Sequence, residues 1–123
     1  MSQFALAAGS LYGLIGVLFG AFGAHALASR LPADLQAIWH TAVQYQFYHA
    51  LALLLVGLLA RQAGAGAVTA GWILFAGTLV FSGSLYALVL SGQKWLGAIT
   101  PLGGTALIVG WLWLAWSLWR AHG

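Results

Sequence analysis

The stretch WHTAVQYQFYHAL, residues 39–51, gathers the side chains of this sequence best suited to chemistry. It holds two imidazoles (His40, His49), two phenols (Tyr45, Tyr48), two carboxamides (Gln44, Gln46) and the Thr41 hydroxyl. An imidazole can relay a proton or ligate a metal. Hydroxyls and carboxamides beside it can fix its orientation through hydrogen bonds. Imidazoles from two helices, such as His25 and His40, are also a ligand pair for haem iron.

The rest of the sequence narrows these options. Asp34 is the single acidic side chain and there is no cysteine, so thiolate metal sites and disulfides are excluded. A nucleophile–base–acid set is not visible, and no enzyme is expected. His40 and His49 lie half a turn apart on one helix, and no histidine falls between residues 68 and 119. No metal site and no cofactor are therefore expected. The four basic residues occur in four different places, which is not a nucleic-acid footprint.

The elements that carry these residues follow from composition. The sequence has 123 residues, 63% hydrophobic and only 4% charged, with a mean hydropathy of +0.96. Soluble domains carry about a quarter charged residues, so the bilayer is the expected solvent. Four apolar segments, Phe4–Ala28, Ala37–Ala60, Val68–Leu90 and Ile99–Trp119, are each long enough to span about 30 Å of hydrocarbon. Arg30, Asp34, Arg61, Lys94 and Arg120 all fall outside them. The expectation is an all-α, polytopic membrane protein. Its four transmembrane helices form one domain, an up-down antiparallel bundle joined by short links. Trp39 and Trp95 at one face, and Trp72, Trp116 and Trp119 at the other, suit an aromatic belt. Thr100 and Pro101 suit the cap and first turn of the last helix. Basic residues balance between the two faces, so orientation is not fixed. No cleaved leader is expected, because no Lys or Arg precedes the first apolar run and that run is long.

Glycines punctuate the first segment at Gly9, Gly13, Gly16, Gly20 and Gly23, alternately four and three apart. That 3.5-residue period predicts a close-packing stripe, with two G-x-x-x-G pairs inside it. GSLYGL (9–14) and GSLYAL (83–88) resemble a repeat, yet the bundle places them at opposite depths. On the second segment, at about 100° per residue from His40, Gln44, Tyr48, Thr41, Tyr45 and His49 share one half of the helix. Gln46 alone falls outside. Polar groups in a span should face the bundle interior. Thr78, Ser82 and Tyr86 form a ladder on the third segment, Ser84 lies beside it, and Thr100 and Thr105 open the fourth. The expected intramembrane cluster is His49, Tyr45, Thr41, Gln44, His25, Ser82, Tyr86 and Thr100. It lies in one bilayer half and opens towards Arg30, Asp34 and Lys94.

GAFGAHAL (20–27), TAVQYQFYHAL (41–51), FSGSLY (81–86), TPLGG (100–104) and Gly110-Trp111 resemble the YgdD-like family of small membrane proteins. The resemblance covers all four segments in order. It implies a four-helix integral protein of the bacterial inner membrane, multi-pass, of no established activity. The motif residues include His25, Thr41, Tyr45, His49, Ser82, Ser84, Tyr86, Thr100 and Pro101; His40 and Gln44 fall outside the fixed pattern.

Two functions compete. An accessory or structural protein would bind membrane lipids, further copies of itself or a larger membrane complex. A transporter or channel component would pass protons or a small polar solute along His49, Tyr45 and Gln44. The polar residues stop halfway through the bilayer, which favours the first.

Overall fold

A computed structural model describes residues 2–122. Helix α1 spans Ser2–Phe22 and runs into a π-helical turn, Gly23–Leu27. Helix α2 spans Ala33–Ser91. A 3-10 turn, Lys94–Ala98, leads into α3, Thr100–His122. All three helices are long and apolar enough to cross a membrane.

Three helices stand where the apolar segments predict four. The difference lies in RQAGAGA, expected as a loop, which stays helical apart from one residue. Gly64 has φ 68° and ψ −154°, a region that side-chain-bearing residues essentially do not enter. A straight helix of this length would extend about 90 Å at 1.5 Å per residue. Instead the halves of α2 lie side by side and antiparallel. Ser82 Oγ donates to the Ala42 carbonyl at 2.8 Å, and the Trp39 and Tyr86 rings are 4.8 Å apart. We refer to residues 33–63 and 65–91 as the first and second limbs of α2.

Local chemistry sets the remaining ends. Pro32, at φ −58° and ψ 157°, precedes α2. Gly92, left-handed at φ 74°, ends it, its N–H bonded to the Leu88 carbonyl at 2.8 Å. The expected Thr100 cap does not form. Thr100 is already helical, and its hydroxyl pairs with Ser84 Oγ at 2.6 Å.

Glycine permits the closest helix contacts. A Cβ on Gly9 would lie 2.7 Å from the Ala50 carbonyl oxygen, one on Gly16 3.1 Å from the Phe47 ring, and one on Gly23 2.5 Å from the Trp39 indole nitrogen. At Gly20 the nearest group, Val43, stands at an ordinary 3.5 Å. Gly13 meets nothing within 4 Å and takes no part in the stripe. A second small-residue seam lies on α3. Gly103 packs on the backbone of Phe81, Gly110 on Leu74, and Ser117 on Gly66, at seven-residue spacing. Side chains would hold these backbones apart, and in lipid close van der Waals packing is what joins helices.

The core runs along the bundle in three clusters. One, around Val56, Ala67 and Leu114, lies at the Gly64 end; a central one holds Leu53, Leu74 and Leu107. The third, around Trp39, Val43, Tyr86 and Val89, lies at the Asp34 end. Trp39 departs from the expected aromatic belt. It is only 4% exposed, and its indole N–H donates to the Phe19 carbonyl at 2.8 Å. Trp72, stacked on Phe4 at 3.9 Å, is exposed, as are Trp95, Trp116 and Trp119.

Candidate functional site

The polar residues of the spans sort into an interior network, an outer face and an aromatic groove between them. They do not form one inward-facing pocket.

Gln46 anchors the interior. It is 3% exposed, its carboxamide nitrogen donates to the Tyr12 carbonyl at 2.8 Å, and its oxygen accepts the Tyr86 hydroxyl at 2.6 Å. The two GSLY segments thus meet on one carboxamide instead of lying apart in depth. On the helical wheel Gln46 falls off the polar half, apart from the residues expected to cluster. The buried face of the first limb runs through Trp39, Ala42, Gln46, His49, Leu53 and Val56. That three-to-four spacing crosses the polar half only at His49.

The hydroxyl ladder divides too. Ser82 binds the first limb through Ala42, and Ser84 binds Thr100. Thr78 and Thr105 donate to carbonyls four residues back in their own helices, Leu74 and Pro101. Among the described residues no buried side-chain nitrogen or oxygen lacks a hydrogen-bond partner. The interior is a closed set of bonds.

The outer face is the larger departure from expectation. Tyr45 is 37% exposed and Tyr48 53%, both pointing out of the bundle, with Thr41 and Gln44 half-buried beside them. Thr41 donates back to the Ala37 carbonyl at 3.0 Å. The Tyr45 and Tyr48 hydroxyls bond to no described residue. Periodicity identified this face correctly as a stripe; it could not say which side neighbours occupy. The α1 glycines take the Val43–Phe47–Ala50 side and the second limb takes Ala42 and Gln46, which leaves Tyr45 and Tyr48 outside.

His49 sits between interior and outer face. It is 4% exposed. Trp111 Nε1 donates to its Nε2 at 3.0 Å, and its Nδ1 lies 2.6 Å from the Tyr45 carbonyl. An indole N–H only donates, so Nε2 accepts and Nδ1 carries the hydrogen given to Tyr45. The imidazole is therefore neutral and bonded on both sides, to Trp111 and not to Tyr86 or Ser82. Trp111 was visible only as half of the Gly110-Trp111 motif. Gly110, close against Leu74, brings α3 near enough for that indole to reach His49.

Beside this pair opens a groove of about 760 Å³ between the first limb and α3. Tyr45, Tyr48, His49, Phe81, Leu107 and Trp111 line it. The Tyr45 and Phe81 ring centroids are 4.6 Å apart. Nearer the Asp34 end, His25 lies exposed in the π-helical turn, and His40 lines a separate cavity of about 410 Å³ with Gln36 and Trp39. Gln36 ties the first link by donating to the Ala28 and Leu31 carbonyls, each at 2.7 Å. No group of three or more His, Cys, Asp or Glu placed to hold a metal occurs among the described residues.

The sequence has clear relatives. The family described as "Protein of unknown function (DUF423)" matches residues 19–104. UPF0382 membrane protein YwdK of Bacillus subtilis is 51% identical over 106 residues, 85% of this chain and 86% of its own. UPF0382 membrane protein SAB0533 of Staphylococcus aureus is 43% identical over 115 residues, and SH2409 of Staphylococcus haemolyticus 44% over 115, each covering 94% of both chains. No solved structure matches. The matched region takes in Gln46 and Tyr86 of the interior network, the outer tyrosines and His49, and the chain is a membrane protein of the DUF423 family, small and of unestablished activity.

Proposed function

We propose that this protein is an accessory, ligand-binding protein of the bacterial inner (plasma) membrane, and that its groove holds a membrane-soluble amphiphile with a hydrogen-bond-accepting head. In this reading the limbs of α2 cross the bilayer separately, and with α1 and α3 they make four crossings in an up-down bundle, the arrangement implied by the narrower YgdD-like resemblance. The antiparallel contacts across Gly64 support that topology.

One observation carries the binding assignment: Tyr45 and Tyr48, exposed in the middle of a span and lining the groove, have hydroxyls that bond to no described residue. Tyr48 is the central residue of the first limb. A hydroxyl left unbonded in hydrocarbon costs roughly 2–7 kcal/mol. An acceptor atom lying in the groove satisfies both phenols, and Phe81 and Trp111 supply flat apolar walls for the rest of the molecule. The groove volume suits a small ligand, within the roughly 300–1,000 Å³ of such sites. Binding, not reaction, is assigned, because both His49 nitrogens are already engaged.

The test compares wild type with Y45F/Y48F, each extracted gently and weighed intact by native mass spectrometry. Wild type carries a small-molecule adduct and the double variant loses it. A bare chain or oligomer in both, or a second polypeptide in place of the small molecule, rejects the amphiphile. A solute flux in liposomes that His49→Ala abolishes would instead favour the transport reading.

A further inference from the structure

We propose a second site, independent of the groove, for the phosphate of an anionic phospholipid headgroup at the Gly64 end of the bundle. There Arg120 lines a cavity of about 560 Å³ together with Gly66, Trp113, Trp116 and Ser117. The guanidinium carbon lies 5.8 Å from the centre of the Trp116 ring, a cation–π contact that holds the fork at the cavity wall.

Charge distribution supports the occupant. The sole acidic side chain, Asp34, begins the first limb, whereas Arg120 and Arg61 lie at the opposite end. No acidic side chain is present there to neutralise them. A guanidinium presents paired N–H donors that match phosphate oxygens. Exposed tryptophans are at home at headgroup depth, and basic pockets between membrane helices take anionic headgroups.

The cavity owes its floor to small residues. Gly66 sits directly against Ser117, so the start of the second limb and the end of α3 approach closely. Trp113 and Trp116, one turn apart, rise beside that contact. The indoles offer acyl chains an apolar wall that a free phosphate ion would not use. Phosphate is the shared chemistry, and the tryptophans favour the lipid as its source.

The test uses the full chain, delipidated in detergent and offered phosphatidylglycerol, phosphatidylcholine or inorganic phosphate before native mass spectrometry. The expected result is retention of one phosphatidylglycerol in preference to phosphatidylcholine. Retention should fall roughly tenfold in R120Q, the scale of one charge-assisted contact, and should persist in R61Q. W116L, at an exposed position, should weaken retention in the same direction and so serves if R120Q folds poorly. Equal retention of both lipids, or undiminished retention in R120Q or W116L, overturns the proposal. Displacement of phosphatidylglycerol by equimolar inorganic phosphate also overturns it, assigning the site to the free ion.

Discussion

Trp111 donates its indole N–H to Nε2 of His49 across 3.0 Å, joining residues 62 positions apart in sequence. The bond fixes the tautomer of the imidazole and holds α3 to the first limb of α2. Both residues also line the groove.

This pairing predicts a spectroscopic signature. ¹⁵N spectra of His49 should show a neutral ring with hydrogen on Nδ1 and none on Nε2. W111F should remove the acceptor shift at Nε2 and lower stability by about 0.6 kcal/mol, the average for such bonds between membrane helices. A charged imidazole, or hydrogen on Nε2, would contradict the geometry.

Gln46 should behave as a network hub. Q46L leaves the buried Tyr86 hydroxyl without its acceptor, and such a stranded group costs about 1–3 kcal/mol. Y86F removes the orphan, so Q46L/Y86F should be more stable than Q46L alone. Unfolding of the four members of this cycle in detergent measures the coupling, and strictly additive losses would refute it.

The glycines should separate by contact. G23A drives a methyl group against the Trp39 indole and G9A against the Ala50 carbonyl; G13A meets nothing. We expect G23A and G9A to lower the melting temperature clearly, with losses of about 1–3 kcal/mol. G13A should stay near wild type or slightly above, since alanine favours helix over glycine. Equal effects at all three positions would show that the α1 stripe is not packed as described.

Gly64 should tolerate no side chain. Its dihedral angles belong to a region open essentially to glycine, and strain there is of order 1–3 kcal/mol. G64A should therefore destabilise the chain although nothing crowds the position. The neighbouring G66A presses on Ser117 and should act through packing instead. Accessibility labelling of single cysteines at residues 61 and 94 would report whether G64A also disturbs the reversal.

The helical class, the apolar segments and the polar residue types were legible in the sequence because composition and period encode them directly. Placement of α1 against the first limb was partly legible in its glycines. What could not be read was partner choice. A helical wheel separates faces, but the faces of Tyr45 and Gln46 differ in which neighbour covers them, and that depends on all the helices at once. Trp39 misled for a related reason. An interfacial position and a buried one share the same sequence context, and only the Phe19 carbonyl, exposed to its indole where Gly23 lacks a side chain, decides between them. RQAGAGA reads as a loop because it separates two apolar segments, whereas the single residue Gly64 suffices to turn the chain.

The reversal at Gly64 makes segment length as binding as residue identity. Ser82 and Tyr86 reach Ala42 and Gln46 only because 17 and 21 helical residues separate them from Gly64. One residue added between Gly64 and Ser82 would advance the second limb by 1.5 Å and turn it by about 100°. Both hydroxyls would then swing away from the first limb, and the α3 contacts at Gly77 and Phe81 would rotate with them. A substitution in this limb disturbs one contact at a time; an insertion or deletion within it displaces all of them together.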